Sequence, residues 1–289
     1  MLETTIQQKE TEDWDMIITP QRRWWDLRLG ELWRYRDLVW LFVRRDFVSV
    51  YKQTILGPAW HFINPIISTV IFTIIFNRLA GLPTDEIPPF LFYLSGTVIW
   101  AYFSNCLTST SNTFVGNQSI FGKVYFPRLA TPVAIAISGL ISFAIRFILF
   151  IGFLIYFMIG DFGLRISYWA LLTPLLVLMM GGLGLSWGII ISAVTTKYRD
   201  LQILVNFGIQ LLMYATPVIY PASMVPSHFQ TLYFLNPIAP IIEAFRYGFL
   251  GAGTLDLNKL LYSFIFMVIS FLIGSMLFNK VEANFMDTV

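Results

Sequence analysis

Charge is what this 289-residue sequence lacks most: Asp, Glu, Lys and Arg make up only 12% of it, where a soluble domain carries about 25%. So few charges cannot cover a folded surface in water. Cys106 is the lone cysteine, which excludes an intramolecular disulfide. His61 and His228 are the only histidines, and nothing near either has the spacing of a metal site. The net charge of +2 is too small to point to a nucleic-acid partner. No nucleophile with a base, no carboxylate pair and no metal-binding helix pattern can be found, so no catalytic residue is assigned. A phosphate-binding loop is missing too. Gly122-Lys123 is followed by Val124, and the position of the required glycine holds Asn117. The chain therefore has no ATP site of that kind and calls for no cofactor of its own.

What it has is apolar length. Apolar residues make up 56% and aromatics 17% of the chain. Several apolar runs reach the 18 or more residues that cross a hydrocarbon core roughly 30 Å thick. The expected fold is an all-α membrane protein. The polar residues gather at the start: nine of the 19 Lys and Arg residues and nine of the 17 acids precede Ala59. This segment lacks the short apolar core and small-residue site of a signal peptide, and is expected to stay uncleaved.

Residues 1–27 read as a polar cytoplasmic tail. Over 28–58 the pattern becomes a helix followed by a turn. Leu29, Leu32, Trp33, Val39, Trp40, Val43, Phe47 and Val50 recur at helical spacing, with Arg28, Arg34, Arg44 and Arg45 mostly between them. An amphipathic helix of this kind suits the membrane surface. A transmembrane region over 59–280 follows, with six spans predicted at about 59–76, 90–107, 133–159, 168–194, 202–220 and 260–278. A tail, 281–289, ends the chain. Gly181-Gly182-Leu183-Gly184 in the fourth span lets helix backbones approach closely. Between spans five and six, Pro221, Pro226, Pro237, Pro240, Glu243 and Arg246 interrupt the segment 221–253. Two short re-entrant half-helices in the outer leaflet fit it better than one span, because prolines in lipid leave backbone groups unpaired. With the amino end inside, 14 Lys and Arg residues fall on inner segments and 4 on outer ones, which puts both termini in the cytoplasm.

The chemistry left to explain is that of a passageway. Arg146 lies within the third span, where facing lipid would cost several kcal/mol. It reads either as a contact for an anionic substrate group or as a paired or snorkelling arginine. Glu243 and Arg246, three residues apart, are expected to pair with each other. Trp60, Phe62, Trp100, Tyr102, Phe103, Tyr214 and Tyr220 could line a path and stack on sugar faces. Trp and Tyr also gather at membrane interfaces for no other reason.

Tyr51-Lys52-Gln53-Thr54-Ile55-Leu56-Gly57-Pro58-Ala59-Trp60, with Asn64-Pro65 beyond it, resembles the start of the first span in ABC-2 type polysaccharide export permeases. The run from Phe121 to Arg128 resembles their first cytoplasmic loop, and Lys197-Tyr198-Arg199-Asp200-Leu201 their second. Thr216–Pro221 and Asn236–Arg246 resemble their outer re-entrant region. The match runs in consistent order over roughly 28–285. The resemblance implies a homodimer of six-span subunits in a bacterial inner membrane, with a channel for a lipid-linked glycan between them. It implies two copies of a separate nucleotide-binding ATPase subunit that bring the ATP and Mg. Arg34, Arg44, Arg45, Phe121, Lys123, Tyr125 and Arg128 would meet that subunit, and Leu56 and Gly57 would admit the lipid head. Pro221, Pro237, Glu243 and Arg246 would belong to an outer gate. The tail residues Glu282, Phe285 and Asp287 are family-like. Two other readings stay open. One is an ABC-2 exporter of a small molecule or plain lipid. The other is a multi-span enzyme acting on polyprenyl-linked sugars, for which Asp200 is the single candidate carboxylate.

Overall fold

The structure is a computed structural model and describes residues 29–51, 57–121, 123, 126–160, 162–195, 198 and 200–288. These residues form helices joined by turns, with no strand among them. The order is α1 (Leu29–Arg34), α2 (Arg36–Tyr51), α3 (Trp60–Phe72), α4 (Pro89–Ser111), α5 (Thr113–Gly116), α6 (Gln118–Phe121), α7 (Ala130–Ile159), α8 (Thr173–Thr195), α9 (Leu201–Tyr214), α10 (Ser227–Phe234), α11 (Ala239–Leu250) and α12 (Leu257–Thr288). A π-helix, Thr73–Leu79, extends α3, and a 3-10 turn, Tyr168–Leu172, leads into α8.

Five helical stretches are long and apolar enough to cross a membrane: Trp60–Leu79, Pro89–Ser111, Ala130–Ile159, Tyr168–Thr195 and Leu257–Val281. The fifth span predicted from sequence is a shorter apolar helix, Leu201–Tyr214. Its 14 residues reach only about 21 Å at 1.5 Å per residue. Pro217 sets the limit, since it carries no N–H and restricts Thr216 before it. The chain turns there, with the Val218 N–H donating to the Thr216 carbonyl at 2.7 Å. The second helix runs the other way, past Leu107 to Ser111. Two of the polar residues there bond within the helix, Ser111 Oγ donating to the Thr108 carbonyl and Ser109 Oγ to Asn105 Oδ1.

Two helices form the centre. α4 and α8 are largely buried, whereas α3 and α7 lie at the periphery. Glycine lets the central pair touch. A Cβ on Gly184 would sit 2.7 Å from the Phe103 carbonyl oxygen, and one on Gly188 3.0 Å from that of Leu107. Backbones this close gain dispersion along their whole length, a main source of helix association in lipid.

α2 is two-sided. Val39, Phe42 and Val43 are buried against Phe126, Leu129 and Ala130 at the start of α7, and the Phe42 and Phe126 rings meet edge-on at 5.5 Å. Trp40, and Trp33 on α1 before it, stay 62% and 70% exposed. The apolar residues grouped into one face by sequence are thus divided, one set packing on the bundle and the two tryptophans pointing away from it. α2, α5 and α6 mark the near end of the bundle, where α7 begins.

The segment between α9 and α12 stays at the far end. Asn236 Nδ2 donates to the Ala215 carbonyl where α9 stops, and the Tyr262 hydroxyl of α12 donates to Leu235. The Ser167 N–H, ahead of α8, donates to Gly248 at 2.9 Å. Ser223 Oγ donates to Asp85 Oδ1 in the turn between α3 and α4. α10 and α11 therefore cap one end of the bundle.

Candidate functional site: a polar cleft and a buried charge hub

The helix α7 carries Thr131, Ser138 and Ser142 on one face, at spacings of seven and four. Across from it α4 presents Asn105 and Ser109, Asn112 follows just past its end, and α9 presents Gln202 and Asn206. With Arg45, Asp46 and Ser49 of α2 at its rim, these side chains line a cleft of about 470 Å³. Gln202 Nε2 donates to Asn112 Oδ1 at 2.6 Å and ties α9 to the end of α4. The cleft runs from the near end into the bundle as far as Ser142. There the Ser142 hydroxyl lies 3.3 Å from His61 Nε2 on α3. One turn further along the same face of α7 is Arg146, close enough to His61 for their charges to interact.

The opposite face of α7 is mostly apolar, with Tyr102 and Thr173 the polar side chains at the groove it borders. Ala136, Leu140 and Phe147, with Val177 and Gly181 of α8 and Met267 of α12, line an apolar groove of about 980 Å³. One helix thus separates a hydrated-type surface from a lipid-type one.

At the far end a second polar assembly is fully enclosed. Glu243 and Arg246 on α11 are each 1% exposed and pair across 3.8 Å. Arg246 donates to Ser95 Oγ, to the Phe92 carbonyl and to the Val218 carbonyl, and its guanidinium lies 3.7 Å from the Phe92 ring centroid. Glu243 Oε2 accepts from the Thr254 N–H. Burial pushes the Glu243 carboxyl above its ordinary value, against the pull of Arg246. Two glycines make the room. A Cβ on Gly96 would meet Arg246 Nη2 at 2.7 Å, and one on Gly253, at φ +102°, would meet Glu243 Oε2 at 3.0 Å. The hub joins α4, the turn after α9, α11 and the loop before α12.

The residues singled out from sequence divide by exposure. Trp60, Phe62 and Tyr214 are exposed. Trp100, Tyr102 and Phe103 are inside the subunit: Trp100 lies on Phe103, Phe103 on Trp187, and the Tyr102 hydroxyl donates to the Ala136 carbonyl. Tyr220 is half-buried at the far end, facing Tyr233. Pro221 and Pro237 are buried there too. At the near end Arg34, Arg44, Arg45 and Lys123 are exposed, and Arg45 bonds Asp46 while lying over Phe42. Phe121 is packed between Phe114 and Phe126, and the buried Arg128 stacks on its ring. Gly57 is half-buried with φ +47°, a left-handed conformation that suits glycine. Leu56, Tyr125, Lys197 and Arg199 lie outside the described residues, as do the side chains of Glu282, Phe285 and Asp287. The cleft was missed from sequence. Its signal is a helical repeat of small polar residues, Asn105 and Ser109 on α4 with Asn112 just past its end, and Gln202 and Asn206 on α9.

The fold and the site define an all-helical, multi-pass membrane protein with a polar cleft cut into its bundle. Its family follows from comparison. The model of the ABC-2 type transporter family matches residues 37–250, well over half of the chain, and the protein belongs to that family. It is 28% identical over 253 residues to the O-antigen export system permease protein RfbA of Klebsiella pneumoniae, covering 87% of this chain and 94% of that one. It is 24% identical over 262 residues to the RfbA protein of Myxococcus xanthus, covering 90% and 98%. It is also 24% identical over 245 residues to the inner membrane transport permease YadH of Escherichia coli K12, covering 83% and 92%.

Proposed function

We propose that this protein is the membrane-spanning permease of an ABC transporter that exports a lipid-linked polysaccharide of O-antigen type across the inner membrane. The observation that carries the reading is the alignment with O-antigen export permeases over nearly the whole of both chains. In this reading the chain is a transport subunit and does no chemistry of its own. Two copies pair around a shared channel, and two copies of an ATPase subunit supply ATP and Mg at the near end. The near end and both termini face the cytoplasm, and six helices cross the bilayer, the short α9 among them.

The polar cleft supports this reading because a glycan needs hydroxyl and amide partners that lipid cannot offer. Asn, Gln, Ser and Thr side chains offer both donors and acceptors at modest net strength, about 0.5–1.5 kcal/mol per bond. Many weak bonds let a polymer slide, where a few strong ones would hold it. The exposed Trp60, Phe62 and Tyr214 would add stacking surfaces where a second subunit closes the channel. Glu243 and Arg246 would hold the far-end cap together as the outer gate.

The test is reconstitution of the chain with the ATPase subunit encoded beside it, followed by ATP hydrolysis with and without lipid-linked glycan. A stable complex whose hydrolysis rises with the glycan is expected. A chain that joins no ATPase, or that alone alters lipid-linked sugars, would defeat the proposal and favour the enzyme reading.

A further inference from the structure

The position of Arg146 is unusual in a way that length alone makes clear. It lies 16 residues after Ala130 and 13 before Ile159 on α7, so roughly 20 Å of helix separates it from each end. Snorkelling serves Lys and Arg near helix ends; from here the side chain is too short to reach either interface. A charge at mid-bilayer faces a protein interior or a watery cavity. Arg146 is half-buried and shares the face of α7 that carries Ser138 and Ser142, the face of the polar cleft. His61 joins it from α3, held against Ser142. No carboxylate lies on α3 or α7.

We propose that Arg146, with His61 and Ser142 beside it, forms an anion-binding station at mid-bilayer for the phosphate or diphosphate that joins a glycan to its lipid carrier. This inference rests on the export reading above and adds to it the part of the substrate that is recognised. A guanidinium offers a planar fork of donors that matches phosphate oxygens. Bonded to each other, the Ser142 hydroxyl and the His61 ring leave one further donor between them. The diphosphate is the one group common to every length of glycan on a given carrier. A site for it would serve at the start of each export cycle whatever sugars follow.

The test measures binding to the full complex, this chain with its ATPase, in phosphatidylcholine nanodiscs. The probes are a polyprenyl diphosphate and the polyprenol of equal chain length. The wild type is expected to bind the diphosphate at least tenfold more tightly. Arg146→Gln should bring the ratio near one, Arg146→Lys should keep part of it, and the His61→Gln/Ser142→Ala pair should lower it severalfold. A ratio unchanged in Arg146→Gln, or a wild type that does not distinguish the two probes, overturns the inference. So does phosphatidylglycerol that displaces the probe as well as the unlabelled lipid does. Co-purification with the ATPase shows that each variant has folded. Where Arg146→Gln fails that check, the His61→Gln/Ser142→Ala pair decides, and an unchanged ratio there overturns the inference. Failure of the export reading shows separately, as wild-type ATP hydrolysis that ignores the complete lipid-linked glycan.

Discussion

Replacing Arg246 by Met tests whether the far-end cap is held by its buried charges. The change removes an ion pair at 3.8 Å, hydrogen bonds to Ser95 and to the Phe92 and Val218 carbonyls, and a contact with the Phe92 ring. Glu243 is left 1% exposed, with the Thr254 N–H still bonded to it. Removing one partner of a buried pair costs about 3–5 kcal/mol, because the remaining charge stays desolvated. At ~2 °C per kcal/mol for a chain of this size, the apparent Tm should fall by about 6–10 °C. The assay is thermal unfolding in detergent at a fixed scan rate, since unfolding of a membrane protein is commonly irreversible and only matched scans compare. The double variant Glu243→Gln/Arg246→Met removes both charges and should recover much of the loss, with a coupling of about 0.5–3 kcal/mol. A single variant that melts with the wild type would refute the reasoning. Strict additivity of the two changes would do so as well, since it would mean that the pair does not act as a unit.

Gly96→Ala should lower the apparent Tm, because its Cβ would sit 2.7 Å from Arg246 Nη2 and 3.1 Å from the Val218 carbonyl; overpacking of this kind costs roughly 1–3 kcal/mol. The same change in an Arg246→Met background should cost less, the contact with the Val218 backbone alone remaining, which thermal unfolding of the pair checks. Gly184→Leu should abolish a monodisperse product in size-exclusion chromatography, since α8 could no longer meet the Phe103 carbonyl of α4. Phe42→Ala should loosen α2 at a cost of up to about 3–5 kcal/mol for a buried ring and so lower the apparent Tm, whereas Trp40→Ala should leave it nearly unchanged. Asn105→Ala and Asn206→Ala, at the wall of the cleft, should reduce glycan on the cell surface while leaving thermal unfolding near the wild-type value.

The sequence was most legible where one residue type has one physical use. Long apolar runs mark helices that cross a membrane, and in the run Gly181–Gly184 the residues Gly181 and Gly184 mark the seam at which α8 meets α4, while Gly182 meets Met267 of α12. The pairing of Glu243 with Arg246 followed from a spacing of three. Legibility failed where the decision belongs to partners in space. Trp100, Tyr102 and Phe103 look like Trp60 and Phe62 in sequence, yet α4 is enclosed by α7 and α8 while α3 lies outside. Over α1 and α2 the apolar residues form one broad set, and only the position of α7 divides Val39, Phe42 and Val43 from Trp33 and Trp40. The cleft was hidden for a different reason. Ser, Thr and Asn in a membrane helix are ambiguous, since each can bond its own backbone; only when three helices turn such faces toward one space do they become a surface.

Two arginines near the membrane interior show how the surroundings decide what a charge does. Arg246 is enclosed on every side, with a carboxylate, a hydroxyl and two carbonyls in reach. Its charge is spent inside the fold, and nothing that passes through the protein can reach it without first opening the cap. Arg146 is half-buried on a polar face, next to a histidine and beyond the end of a cleft that starts at the ATPase-facing end of the proposed complex. The first arrangement costs stability when either partner is lost. The second should cost little stability and much transport. Thermal unfolding and surface glycan, measured side by side on Arg146→Gln and Arg246→Met, should therefore move in opposite proportions. If Arg146→Gln lowers the melting temperature as far as Arg246→Met does, the mid-bilayer arginine is structural and the passage lies elsewhere.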